Sequence, residues 1–423
     1  MAQVIHARLH AGLEAVRLRE TEAPSRSVPN LSPGDVALSI HEDLSETEAA
    51  WRAFEAHADG TVFQSFDWLA YWQRHVGALE QTRPAIVVGR DVAGDILFLL
   101  PLALRPRGFF RELTWLGSDL CDYNGPLLAA DFSARLTRDR FRAVWDDIAQ
   151  RLQAHPRLYH HVVSLTKMPL QVGAQPNPML ALPVTAHPSG AYLTRLDGDW
   201  ETFYTAKRSP STRRRDRTKR KRLGDLGAVH LVEPSDPADK RATIDTLMVQ
   251  KARAFAHMGV GNLFARPGYS DFYRALADDP ANRSFVHVSR LDVGATPAAI
   301  NLGLSFRGRY YHLLASYDDG EVSRFGPGSA HLHELMRLAI ERGLSVFDFT
   351  IGDEPYKRDW SDTELTLFDH IAAANWRGVP VVWAQVGKQQ IKRAIKQTPA
   401  LWSLFSKTRA WFGGWRSRQS PSG

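Results

Sequence analysis

The residues best placed to do chemistry fall in two short stretches of the last quarter of the chain. One is Arg324-x-Gly326-x-Gly328-Ser329, a glycine-bearing loop that opens directly into an amphipathic pattern at 329–341. Backbone N–H groups of such a loop and of a first helical turn converge on an anion, and glycine lets a pyrophosphate approach with no Cβ in the way. Arg324 adds a charge-assisted contact. The other is FDFTIGDEPYKRDW at 347–360, where alternation along a strand puts Asp348 on the face opposite Phe347 and Phe349. Asp318 ends the preceding strand. A carboxylate at a strand end beside an anion loop is a candidate general base, and Tyr356 and Lys357 are candidate proton donors or substrate holders. Acyl transfer from a thioester would use all of them: a base for the acceptor, a donor for the oxyanion and a proton for the leaving thiolate. A plainer arrangement fits the same residues, with Asp348 capping a turn and Lys357 paired to Asp353 or Asp359 at the surface.

Charge points to anionic partners. The 423 residues carry 53 Lys or Arg against 46 Asp or Glu, a net of +7. Residues 207–222 alone hold ten basic side chains and one acid, and 386–423 hold eight and none, which leaves −10 for the rest. The first run predicts a helix over 211–225 whose self-repulsion calls for an anionic ligand, with Arg213, Arg214 and Arg217 as candidate contacts. It lacks interleaved aromatics, which argues against nucleic acid. The second run contains three of the twelve tryptophans and reads either as an interfacial helix on an anionic membrane or as a helix docked on the body.

Positioning these residues requires an α/β scaffold. Ser45 with Glu48 makes a capping-box pattern ahead of a helix to about 57, and Ser65 precedes a second helix carrying Trp68, Leu69, Trp72 and Val76 on one face. Strands are then expected at 85–90, 95–105 and 111–116, a helix at 138–153 and a strand at 159–165. The order recurs: helices near 244–258 and 269–277, strands at 284–291, 298–306 and 310–317, a helix at 329–341 and a strand at 345–351. RPAIVVGRDVAGDILFLLPLAL at 83 lies over RSFVHVSRLDVGATPAAINLGL at 283, and GPLLAAD at 125 over GPGSAHL at 326, with an offset near 200 throughout. This is an internal duplication of one unit. The expected division is a flexible leader 1–40, a first copy 41–166, a linker 167–190 with five prolines, a second copy 191–385 and a basic aromatic tail 386–423. A lone Cys121 excludes a disulfide framework and points to a reducing compartment. His160 with His161 and His331 with His333 have the wrong spacing for a shared metal, so no metal site is expected. No signal-peptide core or membrane-length apolar run is present, so a cytoplasmic protein is expected, peripheral to a membrane if the tail binds one.

The succession S-Y-D at 316–318, R-F-G-P-G-S at 324–329 and V-F-D-F-T-I-G-D-E-P-Y-K-R-D-W at 346–360 resembles the GNAT acyltransferases of the cellulose-biosynthesis (CelD/BcsL-like) family, relatives of the Fem-type transferases. FQSFDWLAYWQRHVG, LPLALRPRG and SDLCDYNGPL upstream extend the resemblance over about 45–375. It implies a tandem GNAT-like fold (α+β), two mixed-sheet copies flanked by helices, with acetyl-CoA or another acyl-CoA as co-substrate on Arg324, Gly326, Gly328 and Ser329. It further implies an acceptor bound near Asp122, Tyr123 and Trp360, and a sugar or exopolysaccharide-related acceptor that attacks the thioester directly. For the basic helix, the CoA 3′-phosphate, an acyl carrier protein, an anionic saccharide or a tRNA are the anionic candidates. Two alternatives stay open: Fem-like transfer from aminoacyl-tRNA, and a non-catalytic accessory role beside a polysaccharide synthase.

Overall fold

The computed structural model describes residues 31–397. The first half builds β1 (Ala37–His41), β2 (Arg83–Arg90), β3 (Ile96–Arg107), β4 (Phe110–Trp115), the short β5 (Leu127–Leu128), β6 (Val162–Pro169), a hairpin of β7 (Gln171–Val172) and β8 (Gln175–Pro176), and β9 (Thr185–Ala186). The second half supplies β10 (Ala191–Arg195), β11 (Val229–Val232), β12 (Val286–Val293), β13 (Thr296–Phe306), β14 (Arg309–Tyr317), β15 (Val346–Ile351) and β16 (Thr363–Leu365). The chain then returns to the first sheet as β17 (Leu367–Ala373). The sheet orders are β1-β2-β3-β4-β6-β17-β9 and β11-β12-β13-β14-β15-β10-β16.

The two sheets share one plan. Four antiparallel neighbours lead to a parallel pair, β4 with β6 and β14 with β15, each joined by a crossover helix, Arg138–Ala154 or Pro327–Glu341. Two helices lie between the first and second strands of each sheet: Glu48–Glu55 and Phe66–Trp72, then Pro237–His257 and Tyr269–Asp278. The expected duplication is therefore present in the fold. Its offset is not constant: β3 and β13 start 200 residues apart, but β6 and β15 start 184 apart. The linker after β4 is the cause. GPLLAAD contributes β5, which pairs with β3 at Phe98↔Leu128, whereas GPGSAHL opens the crossover helix at once.

Local chemistry explains the elements. Ser65 caps the Phe66–Trp72 helix through its hydroxyl, and Trp68, Leu69 and Trp72 on that helix are buried. Glu48–Glu55 is capped at Thr47, not at Ser45 as the capping-box pattern predicts, because Ser45 sits in a turn closed by Asp43. The halves meet over an aromatic core: the Trp68 and Phe272 rings cross at 4.9 Å and 88°, and Phe63 contacts both Tyr123 and Tyr311. Each such ring pair adds roughly 0.5–1.5 kcal/mol beyond the area it buries.

The expected boundaries need correction. Residues 37–40 of the supposed leader are in β1; residues 1–30 lie outside the described residues. The supposed linker 167–190 is built in: it completes β6, forms the β7–β8 hairpin and adds β9 as an edge strand. The second copy does not run unbroken to 385, because β17 pairs with β6 in the first sheet. Hydrophobic periodicity marks a strand but not the sheet it will join. The tail's helix starts at Val379, and its residues 398–423 lie outside the described residues.

Candidate functional site

The geometry centres on the point where β14 and β15 separate. They pair in parallel over Arg309↔Val346, Tyr310↔Phe347 and Tyr311↔Asp348, and no further pair joins them although both strands continue. Each carries an extra residue there. The ladder with β13 slips between Leu302 and Leu304, leaving His312 and Leu313 bulged, and the ladder with β10 slips opposite Phe349. Bulges bend a strand and increase its twist, so two facing bulges force the strands apart. Thr350 follows with φ +59°, a strained conformation for a β-branched residue, and such strain collects at functional sites. The result is a slot with unpaired strand edges inside an otherwise complete sheet.

The glycine loop lies at the far end of β14. Gly326 takes a left-handed conformation, φ +67°, and caps the Pro327–Glu341 helix, while a Cβ on Gly328 would stand 3.4 Å from the Tyr317 ring. Beside it lies the basic helix, Pro210–Leu226, one residue longer at each end than predicted, capped by Ser209. Arg220 pairs with Glu334 of the crossover helix, and Arg222 and Arg324 both place their guanidinium groups over Phe325. Between the basic helix and the loop is an open groove of about 580 Å³ lined by Arg214, Arg215, Lys219, Arg222, Arg324 and Phe325. A second hollow of about 230 Å³ reaches under Gly326 and Ser329 to Trp200, Tyr204 and His333. Positive charge and a helix N-terminus thus converge on one rim of the slot.

At the near end the central group is Asp348. It is completely buried and faces the first half: Oδ1 accepts from the Tyr123 hydroxyl at 2.7 Å and from the Thr350 N–H at 2.8 Å, and Oδ2 accepts from Arg309 at 3.1 Å. Burial raises its pKa, and Arg309 and Tyr123 only partly offset that. Burial, then the adjacent carboxylate, drive the Tyr123 phenol well above its ordinary value. Asp122 is raised too, by burial, against the pull of Lys167, Thr350 and Lys357. Tyr123, Arg309 and Tyr311 open onto a cleft of about 360 Å³ between the halves, whose other wall includes Asp59, Gly60 and Thr61.

The predicted residues divide between these places. Arg324, Gly326, Gly328 and Ser329 form the loop as expected, although Arg324 is exposed and already paired with Glu321. Arg214 lines the groove and Arg217 the smaller hollow, while Arg213 donates to Thr205 Oγ1. Asp348, Asp122 and Tyr123 come together at the junction of the halves. Asp318 does not join them: it follows the last residue of β14, seven residues beyond Tyr311 and about 20 Å away at ~3.3 Å per residue, and its carboxylate accepts from the Gly320 N–H. Lys357 is buried, its ammonium donating to the Ile351 carbonyl at 2.7 Å with Glu354 at 3.1 Å, while Asp359 faces Arg208. Tyr356 packs edge-on to Phe349 and is partly exposed. Trp360 is no acceptor contact: it is buried, stacked on Phe203 and Tyr204 beneath the Arg208 guanidinium. Cys121 is buried and its thiol is pushed up to about 12 by burial, so it is inert as a nucleophile. No group of three potential metal ligands occurs among the described residues.

Sequence reasoning missed Arg309, Lys251, His312 and Thr350. His312 stands at the bulge, its imidazole held at about 3 by burial, and Lys251 approaches from the Pro237–His257 helix with its pKa lowered by burial. Only register and backbone torsions single them out.

Comparison with known proteins agrees with this geometry. Residues 210–358, which contain the basic helix, the bulged strands and the glycine loop, match the family described as acetyltransferase (GNAT) domain. Over those residues the chain is similar to GNAT acetyltransferase domains. Its tandem arrangement of two such mixed sheets has the fold of FemX, with a TM-score of 0.54 at 12% identity over 82% of this chain and 99% of that one. Two further solved structures are similar at lower scores. A conserved protein of unknown function from Bacteroides thetaiotaomicron aligns at 0.49, with 12% identity over 80% of this chain and 99% of that one. A tandem GNAT protein from the clavulanic acid biosynthesis pathway aligns at 0.44, with 14% identity over 80% and 99%. No curated protein matches.

Proposed function

We propose that the GNAT domain transfers an acyl group, acetyl in the simplest case, from CoA to the amine or hydroxyl of a sugar acceptor related to cellulose or another exopolysaccharide. The acceptor class rests on the resemblance to the CelD/BcsL-like family. The observation that carries the rest is the slot between β14 and β15, which opens beside a glycine loop and a groove of five cations. Gly326, Gly328 and Ser329 would hold the pyrophosphate, and Lys219 and Arg222 the remaining phosphate. The unpaired strand edges would take the amide-bearing arm as an added strand. CoA supplies the thioester. The acceptor would enter from the cleft between the halves and attack the thioester carbonyl directly, the acyl C–S bond breaking as the new C–N or C–O bond forms and CoA leaving as its thiolate. Tyr123, which lines that cleft, takes the acceptor's proton as it gives its own to Asp348, whose raised pKa suits it to receive one.

A thermal-shift screen of the full chain against CoA, acetyl-CoA and longer acyl-CoA esters, followed by thiol release with candidate acceptors, tests this reading. Stabilisation by the esters is expected. No shift with any of them would overturn the assignment of slot and loop. The exposure of Arg214, Arg215 and Arg217 on the basic helix favours a second reading, transfer from aminoacyl-tRNA. Steeply salt-dependent binding that selects tRNA would support it.

A further inference from the structure

We propose that one face of the molecule, the turn Trp376–Gly378 with Val379 and Trp383 in the first turns of the helix that follows and the neighbouring β3–β4 hairpin tip, docks on an anionic lipid bilayer. Tryptophan is seldom left in water, and Trp51, Trp68, Trp72, Trp115, Trp145 and Trp360 are all buried. Trp376 and Trp383 instead stand 77% and 78% exposed. Val379, also exposed, lies one helical turn before Trp383, and Trp376 stands in the turn just ahead of that helix, so the three are solvent-facing within eight residues of chain. The hairpin tip extends the surface. Phe109 at its apex is 88% exposed, and Glu112 ties the hairpin to the helix by accepting from Gln385 and from Arg107, both at 3.3 Å.

The composition of the segment that carries these residues selects the occupant. From His370 onward the sequence holds nine Lys or Arg, Arg377 among them, and no Asp or Glu. Arg377 lies over the Trp376 ring at 5.3 Å, and the hairpin adds Arg107 and Arg111. Glu112, the acid in the middle, is buried and spent on internal hydrogen bonds. Exposed indoles flanked by cations match the headgroup layer of an anionic leaflet, where the rings sit among the headgroups and the basic side chains meet the lipid phosphates. Two copies of so basic a surface repel each other, which disfavours a homodimer. No helix among the described residues is long and apolar enough to cross a membrane, so this would be adsorption to the surface.

Flotation of the full chain with vesicles of phosphatidylcholine, with and without phosphatidylglycerol, tests the proposal. The expected result is co-flotation only with phosphatidylglycerol present, weakening as salt rises, and at least about tenfold weaker partitioning of the Trp376→Ser/Trp383→Ser double variant. Both indoles are exposed, so the variant should keep its thermal midpoint and its response to acyl-CoA. Equal partitioning of variant and wild type would overturn the proposal, as would absence of wild-type flotation. A change in oligomeric state or in oligonucleotide binding confined to the double variant would assign the face to another occupant and overturn it equally.

Discussion

The two halves part their parallel strands at the same place, but only one is left open. In the first, β4 joins β3 with no register slip, and the 22 residues between β4 and its crossover helix fold back over β6. Asn124 donates from its backbone to the Lys167 carbonyl and from its side chain to the Thr166 carbonyl, and Lys167 donates to the Cys121 carbonyl at 2.8 Å. In the second, β14 is bulged and only nine residues separate it from its helix, whose N-terminus meets the basic groove. One duplicated frame thus yields one filled gap and one open gap, the open one being the proposed binding slot. The filling loop also delivers Asp122 and Tyr123 to the neighbourhood of Asp348, so the closed half builds part of the proposed site.

The largest expected effect comes from filling the open half. Gly328→Trp should cost at least about a hundredfold in acyl-CoA affinity, about 2.7 kcal/mol or more, measured by calorimetric titration. Asp348→Asn comes next, because it removes the proton acceptor while keeping the shape. It should lower kcat by about 10² to 10⁴ with little change in CoA affinity. Activity of the wild type should rise with pH through a midpoint above the ordinary carboxylate range, since burial raises the Asp348 pKa, and that limb should vanish in the variant.

The comparison sharpens further with a substitution in the closed half. Asn124→Ala strips one strap from the filled gap and leaves the Thr166 carbonyl unpaired. It should cost roughly 1–3 kcal/mol of stability in urea unfolding and leave CoA affinity unchanged. A variant that bound CoA more weakly by tenfold or more would show that the halves are not divided in this way. The smallest effect concerns the crossover helix of the open half. Burial holds the His331 imidazole at about 3 as it hydrogen bonds to Ser289. Its folded pKa lies below the unfolded value, so the unfolded chain binds the extra proton and stability falls on acidification through that interval. His331→Asn should flatten the slope of stability against pH between about 6 and 4 by up to ~1.4 kcal/mol per pH unit.

Much of the frame was legible in the chain. Alternation located β12, β13 and β14 within two residues, and apolar spacing located the crossover helices, because each buries one face against a sheet. The loop at 324–329 announced itself by glycine and charge. The return of an edge strand did not: nothing local says that β17, which follows β16 of the second sheet, crosses back to pair with β6 of the first. Asp318 looked equivalent to Asp348 because both sit on strands near the loop. Register separates them, placing Asp348 beside Tyr311 and Asp318 at the opposite end of β14. Trp360 read as an acceptor contact and proved to be a stacked core residue, since a tryptophan's burial depends on partners, here Phe203 and Tyr204, that lie more than 150 residues away.

The central claim, one open copy and one filled copy, is tested most directly by the stoichiometry of acyl-CoA binding to the full chain. Calorimetric titration should give one site per chain, abolished by Gly328→Trp and untouched by Asn124→Ala. Two sites per chain, or a single site that survives Gly328→Trp, would contradict it.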